Sequence, residues 1–136
     1  MRKIRTSKKG FTLAELLIVV AIIGVLVGIS IPIFSAQLRK SKLATNQANA
    51  RAAYAAVSAG ILDSGFAGGT GTYSVDSASL GSAGVTKSDA TIDPANVSDP
   101  IKDWGVDDKI GTTTLGDDIK TSWTVTIDKN GNVQFS

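Results

Sequence analysis

The 136-residue sequence has no cysteine and no histidine, and only one methionine, three prolines and one glutamate. Without cysteine there is no disulfide and no thiolate nucleophile. Without histidine, imidazole general-base chemistry and the common zinc sites are also excluded. Aromatic residues make up 6% of the chain, so a distal core must lean on few of them, chiefly Trp104, Trp123 and Phe135. Anions are scarce at one end. Residues 1–10 hold five cations and no anion, and residues 11–60 hold four cations and one anion. Residues 61–136 hold five lysines against eleven aspartates, so the net charge of +2 hides a strong segregation. A distal part this acidic excludes nucleic-acid binding by bulk charge.

What the chain has in abundance is a long apolar run. Leu16 to Phe34 reads LLIVVAIIGVLVGISIPIF, nineteen residues without a charge. As a helix it would span about 30 Å, the thickness of a bilayer core. The cations that precede it place the first residues on the cytoplasmic side and the remainder outside. A secretory signal has a shorter apolar region, about 7–15 residues, ending in a small-x-small cleavage site. The residues after this run, FSAQLRKSK, offer a poor one. An ordinary single-pass anchor explains the run but not Glu15, the sole glutamate, placed at the edge of it.

Gly10, Phe11, Thr12, Leu13 and Glu15, preceded by a short basic leader and followed by an apolar helix with Pro32, resemble the start of a type IV pilin, of the type IVa-like major kind. The resemblance covers about the first 60 residues. Ala14 stands where many relatives carry a larger aliphatic residue. Leu16 and the large distal part differ from the short Tad-type branch. The resemblance implies a chain cut by a prepilin peptidase between Gly10 and Phe11 and N-methylated on Phe11. It implies a subunit that rests in cytoplasmic-membrane lipid, meets an inner-membrane assembly platform and polymerises with itself into a surface fibre. Physical chemistry agrees with it. Glycine lets a protease approach the backbone closely. A new amine on Phe11 and the Glu15 carboxylate are each costly at membrane depth, and tolerable when paired between subunits.

The fold class expected is α+β: a long N-terminal helix, kinked near Pro32, packed through its C-terminal half on a small antiparallel sheet. The organisation is a leader (1–10), a transmembrane and assembly helix (11–35), an amphipathic continuation (36–62) and an exposed domain (63–136). Gly24, Gly28 and Pro32 weaken the first half of the helix, and Gly24–Gly28 also has small-xxx-small spacing. Beyond Phe34 the chain is alanine-rich and lacks glycine and proline until Gly60, which favours helix. Leu43, Ala50, Tyr54, Val57 and Ile61 recur on one face, which should pack on the distal part. Arg39, Lys40, Lys42, Asn46 and Asn49 are assigned to the opposite face.

Residues 63–91, rich in Gly, Ser, Ala and Thr, read as a long loop with one short strand around Tyr73–Val75. Pro94 and Pro100 mark a turn-rich connection. SWTVTIDKNGNVQFS alternates apolar and polar residues on either side of Asn130-Gly131 and reads as a β-hairpin. TTTLGD is a candidate for a further strand.

Candidate sites are few. Asp128-Lys-Asn-Gly-Asn lacks the glycine and later glutamate of a calcium loop and reads as a hairpin turn. Asp107, Asp108, Asp117 and Asp118 are weak calcium candidates, since carboxylate oxygens suit that ion. GGTGT lacks the Lys-Ser/Thr of a phosphate loop. No cofactor and no catalytic constellation is expected. Three functions compete: a pilus subunit for adhesion, motility or DNA uptake; a pseudopilin of a secretion or competence machine; and a single-pass anchored binding domain that never polymerises.

Overall fold

A computed structural model of the chain describes residues 10–92, 101, 104 and 108–136. The basic leader before Gly10, Pro94, Pro100 and Asp107 lie outside the described residues. The fold is α+β. One helix, α1 (Leu13–Ser64), is followed by β1 (Gly69–Ser74), β2 (Ser79–Lys87), β3 (Lys109–Ile110), β4 (Thr113–Thr114), β5 (Ser122–Ile127) and β6 (Val133–Phe135). The chain divides after Leu38 into two compact units, the first holding the apolar part of α1 and the second running from Arg39 to Ser136. Pro32 lies inside α1, which continues through it.

The second unit has a four-stranded antiparallel sheet in the order β2-β1-β5-β6, with a two-stranded ribbon of β3 and β4 beside it. Alternation decides the faces. Tyr73, Trp123, Val125 and Phe135 point inward onto Ala50, Ala53, Val57 and Ile61 of α1, and Ile110 and Leu115 close the same core. Phe135 is its hub. Its ring meets Trp104 at 5.6 Å and Trp123 at 6.3 Å, both edge-on, and Tyr54 at 6.5 Å. Such ring pairs add to simple area burial.

Two expectations change here. Residues 63–91 are not one long loop with a single short strand: β1 and β2 form a hairpin within them. The glycines that suggested a loop are packing residues. A Cβ on Gly69 would sit 2.6 Å from Val85 Cγ1 and 3.0 Å from Ile61 Cγ1, and one on Gly71 would sit 2.9 Å from Val57 Cγ2. Both face α1, so missing side chains are what let helix and sheet approach closely. The second change is Asn46. It belongs to the packed face and is fully buried, because it lies three residues after Leu43 and four before Ala50.

The β5–β6 hairpin forms as the alternation requires. Gly131 takes φ +86°, a value suited to glycine, and Asp128 N–H donates to the Asn132 carbonyl at 2.8 Å. Both sheet edges are blunted. The β2 edge is broken by a bulge between Gly71 and Tyr73 of its partner strand. On the outer side of β6, the Thr112 and Thr113 hydroxyls donate to the Phe135 carbonyl at 3.2 and 2.6 Å. Bulges and capped groups of this kind disfavour strand addition from another chain.

Candidate functional site

The N-terminal segment is where the sequence concentrates its unusual chemistry. α1 begins at Leu13, which makes Thr12 its N-cap and Glu15 its third residue. The two residues bond reciprocally. Thr12 N–H donates to Glu15 Oε2 at 3.1 Å, and Glu15 N–H donates to Thr12 Oγ1 at 3.2 Å. This is a capping box, which satisfies two amides that a helix start otherwise leaves open. Its Thr-x-x-Glu spacing is readable in the sequence. Glu15 therefore has a local role within its own chain. Gly10 and Phe11 lie just outside the helix. Phe11 is 89% exposed, and a Cβ added to Gly10 would meet nothing within 4 Å.

Beyond the cap, the apolar half of α1 is bare. Every large hydrophobic residue from Leu13 to Phe34 is exposed, and its most apolar window, of mean hydropathy 3.0, is 0% buried. By length and composition this helix can cross a membrane. A Cβ on Gly24 or Gly28 would also meet nothing within 4 Å, so among the described residues no packing requires either glycine. Pro32 has no N–H, so the Gly28 carbonyl one turn earlier lacks its helical donor. Serines flank this gap. Ser30 Oγ donates to the Leu26 carbonyl at 2.6 Å and Ser35 Oγ to the Ile31 carbonyl at 3.0 Å. Hydroxyl bonding of this type slightly weakens and often bends helices. Gly24, Gly28 and Pro32 thus share a stretch with little internal reinforcement.

Three of the acidic candidates, Asp108, Asp117 and Asp118, are among the described residues. Asp108 and Asp117 both face Arg39. Arg39 Nη2 pairs with Asp108 Oδ2, and Arg39 Nε lies 3.7 Å from Asp117 Oδ1. The guanidinium supplies the positive charge that a divalent ion would bring. Asp118 contributes its backbone instead, its carbonyl accepting from Asn46 Nδ2 at 3.1 Å. Lys120 N–H donates to Asn46 Oδ1 at 2.8 Å, so one buried amide holds the loop from both sides. Among the described residues no group of three or more potential ligands converges.

Residues 5–31 match the model of the prokaryotic N-terminal methylation motif. The match supports a type IV pilin-like or pseudopilin-like prepilin. The match spans Gly10, Phe11, Glu15, Gly24 and Gly28 and ends just before Pro32. Neither the curated proteins nor the solved structures compared with the chain gave a match. Prepilins of this type are substrates of prepilin peptidases and structural subunits rather than an enzyme class. The bare apolar helix behind the motif fits a membrane-anchored precursor.

Proposed function

We propose that the prepilin is cut between Gly10 and Phe11, N-methylated on Phe11, and polymerised through α1 into a type IV pilus at the cell surface. The observation that carries this reading is the exposure of the whole apolar half of α1 directly behind the methylation motif. Lipid covers that surface before assembly, and the same face of neighbouring subunits covers it afterwards. An inner-membrane assembly platform would make the transfer. In the fibre, Glu15 of one subunit accepts the charge of the Phe11 amine of another, since a buried charge is tolerable only with a partner.

The stretch from Gly24 to Pro32 is the place where the helix can lengthen during that transfer. In lipid its backbone groups must stay bonded within the helix. Between neighbouring helices that constraint loosens. Extending eight residues from about 1.5 to about 3.3 Å each would add roughly 14 Å to the subunit.

The test is mass analysis and a filament map of material sheared from cells. Fibres made of chains beginning at N-methylated Phe11 are expected. Fibres that retain Met1 to Gly10 would contradict the cleavage, and unbroken helix from Phe11 to Arg51 would contradict the extension. A processed chain that never reaches the surface as a fibre, and whose loss blocks protein secretion, would favour the pseudopilin reading.

A further inference from the structure

The distal half of α1 carries its charges in an unfavourable order. Between Glu15 and Asp63 the chain has no anion, while Arg39, Lys40, Lys42 and Arg51 lie along the way. Asp63 then stands in the last turn of the helix, which has no basic residue. A carboxylate is disfavoured there, because it faces the negative end of the helix dipole. The helix end does not use it. Gly65, at φ +70°, and Phe66 close the helix with backbone amides. Gly65 N–H donates to the Leu62 carbonyl at 3.3 Å, and Phe66 N–H to the Ile61 carbonyl at 3.1 Å. Asp63 is exposed and, among the described residues, pairs with no cation. Leu62 beside it is 80% exposed.

The cations are not equivalent. Arg39 faces Asp108 and Asp117, Arg51 lies 5.0 Å from the centre of the Trp104 ring, and Lys42 is half-buried. Every lysine after residue 60 has an aspartate within two positions in the chain. Lys40 has none, is exposed, and among the described residues has no ion-pair partner. It cannot meet Asp63 of its own chain, since the 23 residues of helix between them span about 35 Å. We infer that Asp63 pairs with Lys40 of a second copy of this chain, displaced by about that distance along the helix axis. Direction supports the charge argument. The same stretch carries the helix through roughly six turns and about 140° more, so the two groups lie on nearly opposite sides. Parallel copies that touch side by side meet through opposite sides. Leu62 adds an apolar contact for the methylene stem of Lys40.

A contact between two different surfaces leaves one Asp63 and one Lys40 free at its ends, so a staggered series repeats without closing. The pairing rests on the fibre reading and deepens it by supplying an axial stagger. Copies level with one another cannot form it, and copies staggered by about 35 Å can. One exposed ion pair is weak, so the contribution comes from repetition along the polymer.

The test uses cells expressing full-length chain as the only copy, with sheared fibres quantified and run on gels. The chain has no cysteine, so Lys40→Cys/Asp63→Cys introduces the only thiols. Treated with a short bis-maleimide, its fibres should give a ladder of linked oligomers, while each single cysteine variant stays monomeric. Lys40→Asp and Asp63→Lys alone should each lower fibre yield by about two- to fivefold. The swap Lys40→Asp/Asp63→Lys should restore it. Fibres of the cysteine double variant without a ladder would overturn the pairing and leave the fibre reading standing. So would single reversals that leave the yield unchanged. The pairing also falls if both reversals lower the yield and the swap does not restore it, the result expected if Asp63 holds a divalent cation and Lys40 an anionic lipid. A wild type that makes no fibre would overturn the fibre reading itself, and the pairing with it. If the cysteine variant does not assemble, the charge swap decides.

Discussion

The two halves of α1 use small and apolar residues in opposite ways. In the distal unit Ala50, Ala53 and Val57 are fully buried, and Gly69 and Gly71 are pressed against the helix. In the proximal unit Ile18, Ile22 and Ile29 are more than half exposed, and Gly24 and Gly28 border open space. Half of this helix is completed by its own chain. The other half is apolar without a partner, and a surface of that size in water would be an aggregation site. Its sequence makes physical sense only with lipid or other copies around it.

The largest contrast should come from two phenylalanines. Phe135, 1% exposed and in contact with three rings, should cost about 3–5 kcal/mol when replaced by alanine. Phe34, 68% exposed, should leave the folded distal unit within about 0.5 kcal/mol. Thermal unfolding of the full chain in detergent, followed by tryptophan fluorescence, separates them. Equal effects would break the comparison.

Glycine sharpens it with a change of sign. Gly69→Ala forces a Cβ to within 2.9 Å of the Thr86 carbonyl and should destabilise the distal unit by about 1–3 kcal/mol. Gly28→Ala meets no atom and should firm the helix by about 0.5–1 kcal/mol. Fluorescence melts read the first, and amide exchange around residue 28 in micelles reads the second. Slowed exchange in Gly28→Ala with unchanged assembly would count against a role for local helix weakness.

The loop between β4 and β5 offers one effect comparable to that of Gly69 and one smaller. Asn46→Ala strands the Asp118 carbonyl and the Lys120 N–H, a loss of about 1–3 kcal/mol. Arg39→Gln should cost at most about 1 kcal/mol, because the Arg39 and Asp117 side chains are 62% and 85% exposed. Calcium or a chelator should leave the wild-type melt unchanged, since the guanidinium already faces Asp108 and Asp117. A calcium-dependent rise in the melt would restore the metal reading of those aspartates.

Much of this was legible before any coordinates. The helix, its packed face and the hairpin around Asn130-Gly131 follow from periodicity and turn chemistry, both of which are local. Three features were not legible, each for its own reason. Gly69 and Gly71 look like loop residues unless one knows that a helix lies 3 Å from where their side chains would be. The polarity of Asn46 points to solvent while its spacing points to the packed face, and burial with two backbone partners follows the spacing. The Arg39–Asp108 pair joins residues 69 positions apart, a distance no local pattern spans. At the N terminus the motif was plain, but the capping box changes what a mutation there means. The capping role of Glu15 stands beside the proposed pairing with Phe11 of another subunit.

One substitution separates them. Glutamine serves in a capping box as glutamate does, so Glu15→Gln keeps the bond to Thr12 N–H and removes only the charge. An unpaired buried amine costs about 3–5 kcal/mol, which disfavours each addition of a subunit by roughly two to three orders of magnitude. The measurement is the yield of sheared fibres from cells expressing Glu15→Gln as the only copy, beside a blot of the membrane pool. The expected result is a processed subunit held in the membrane and almost no fibre. Normal fibre yield from a mature Glu15→Gln chain would show that Glu15 caps its own helix and nothing more.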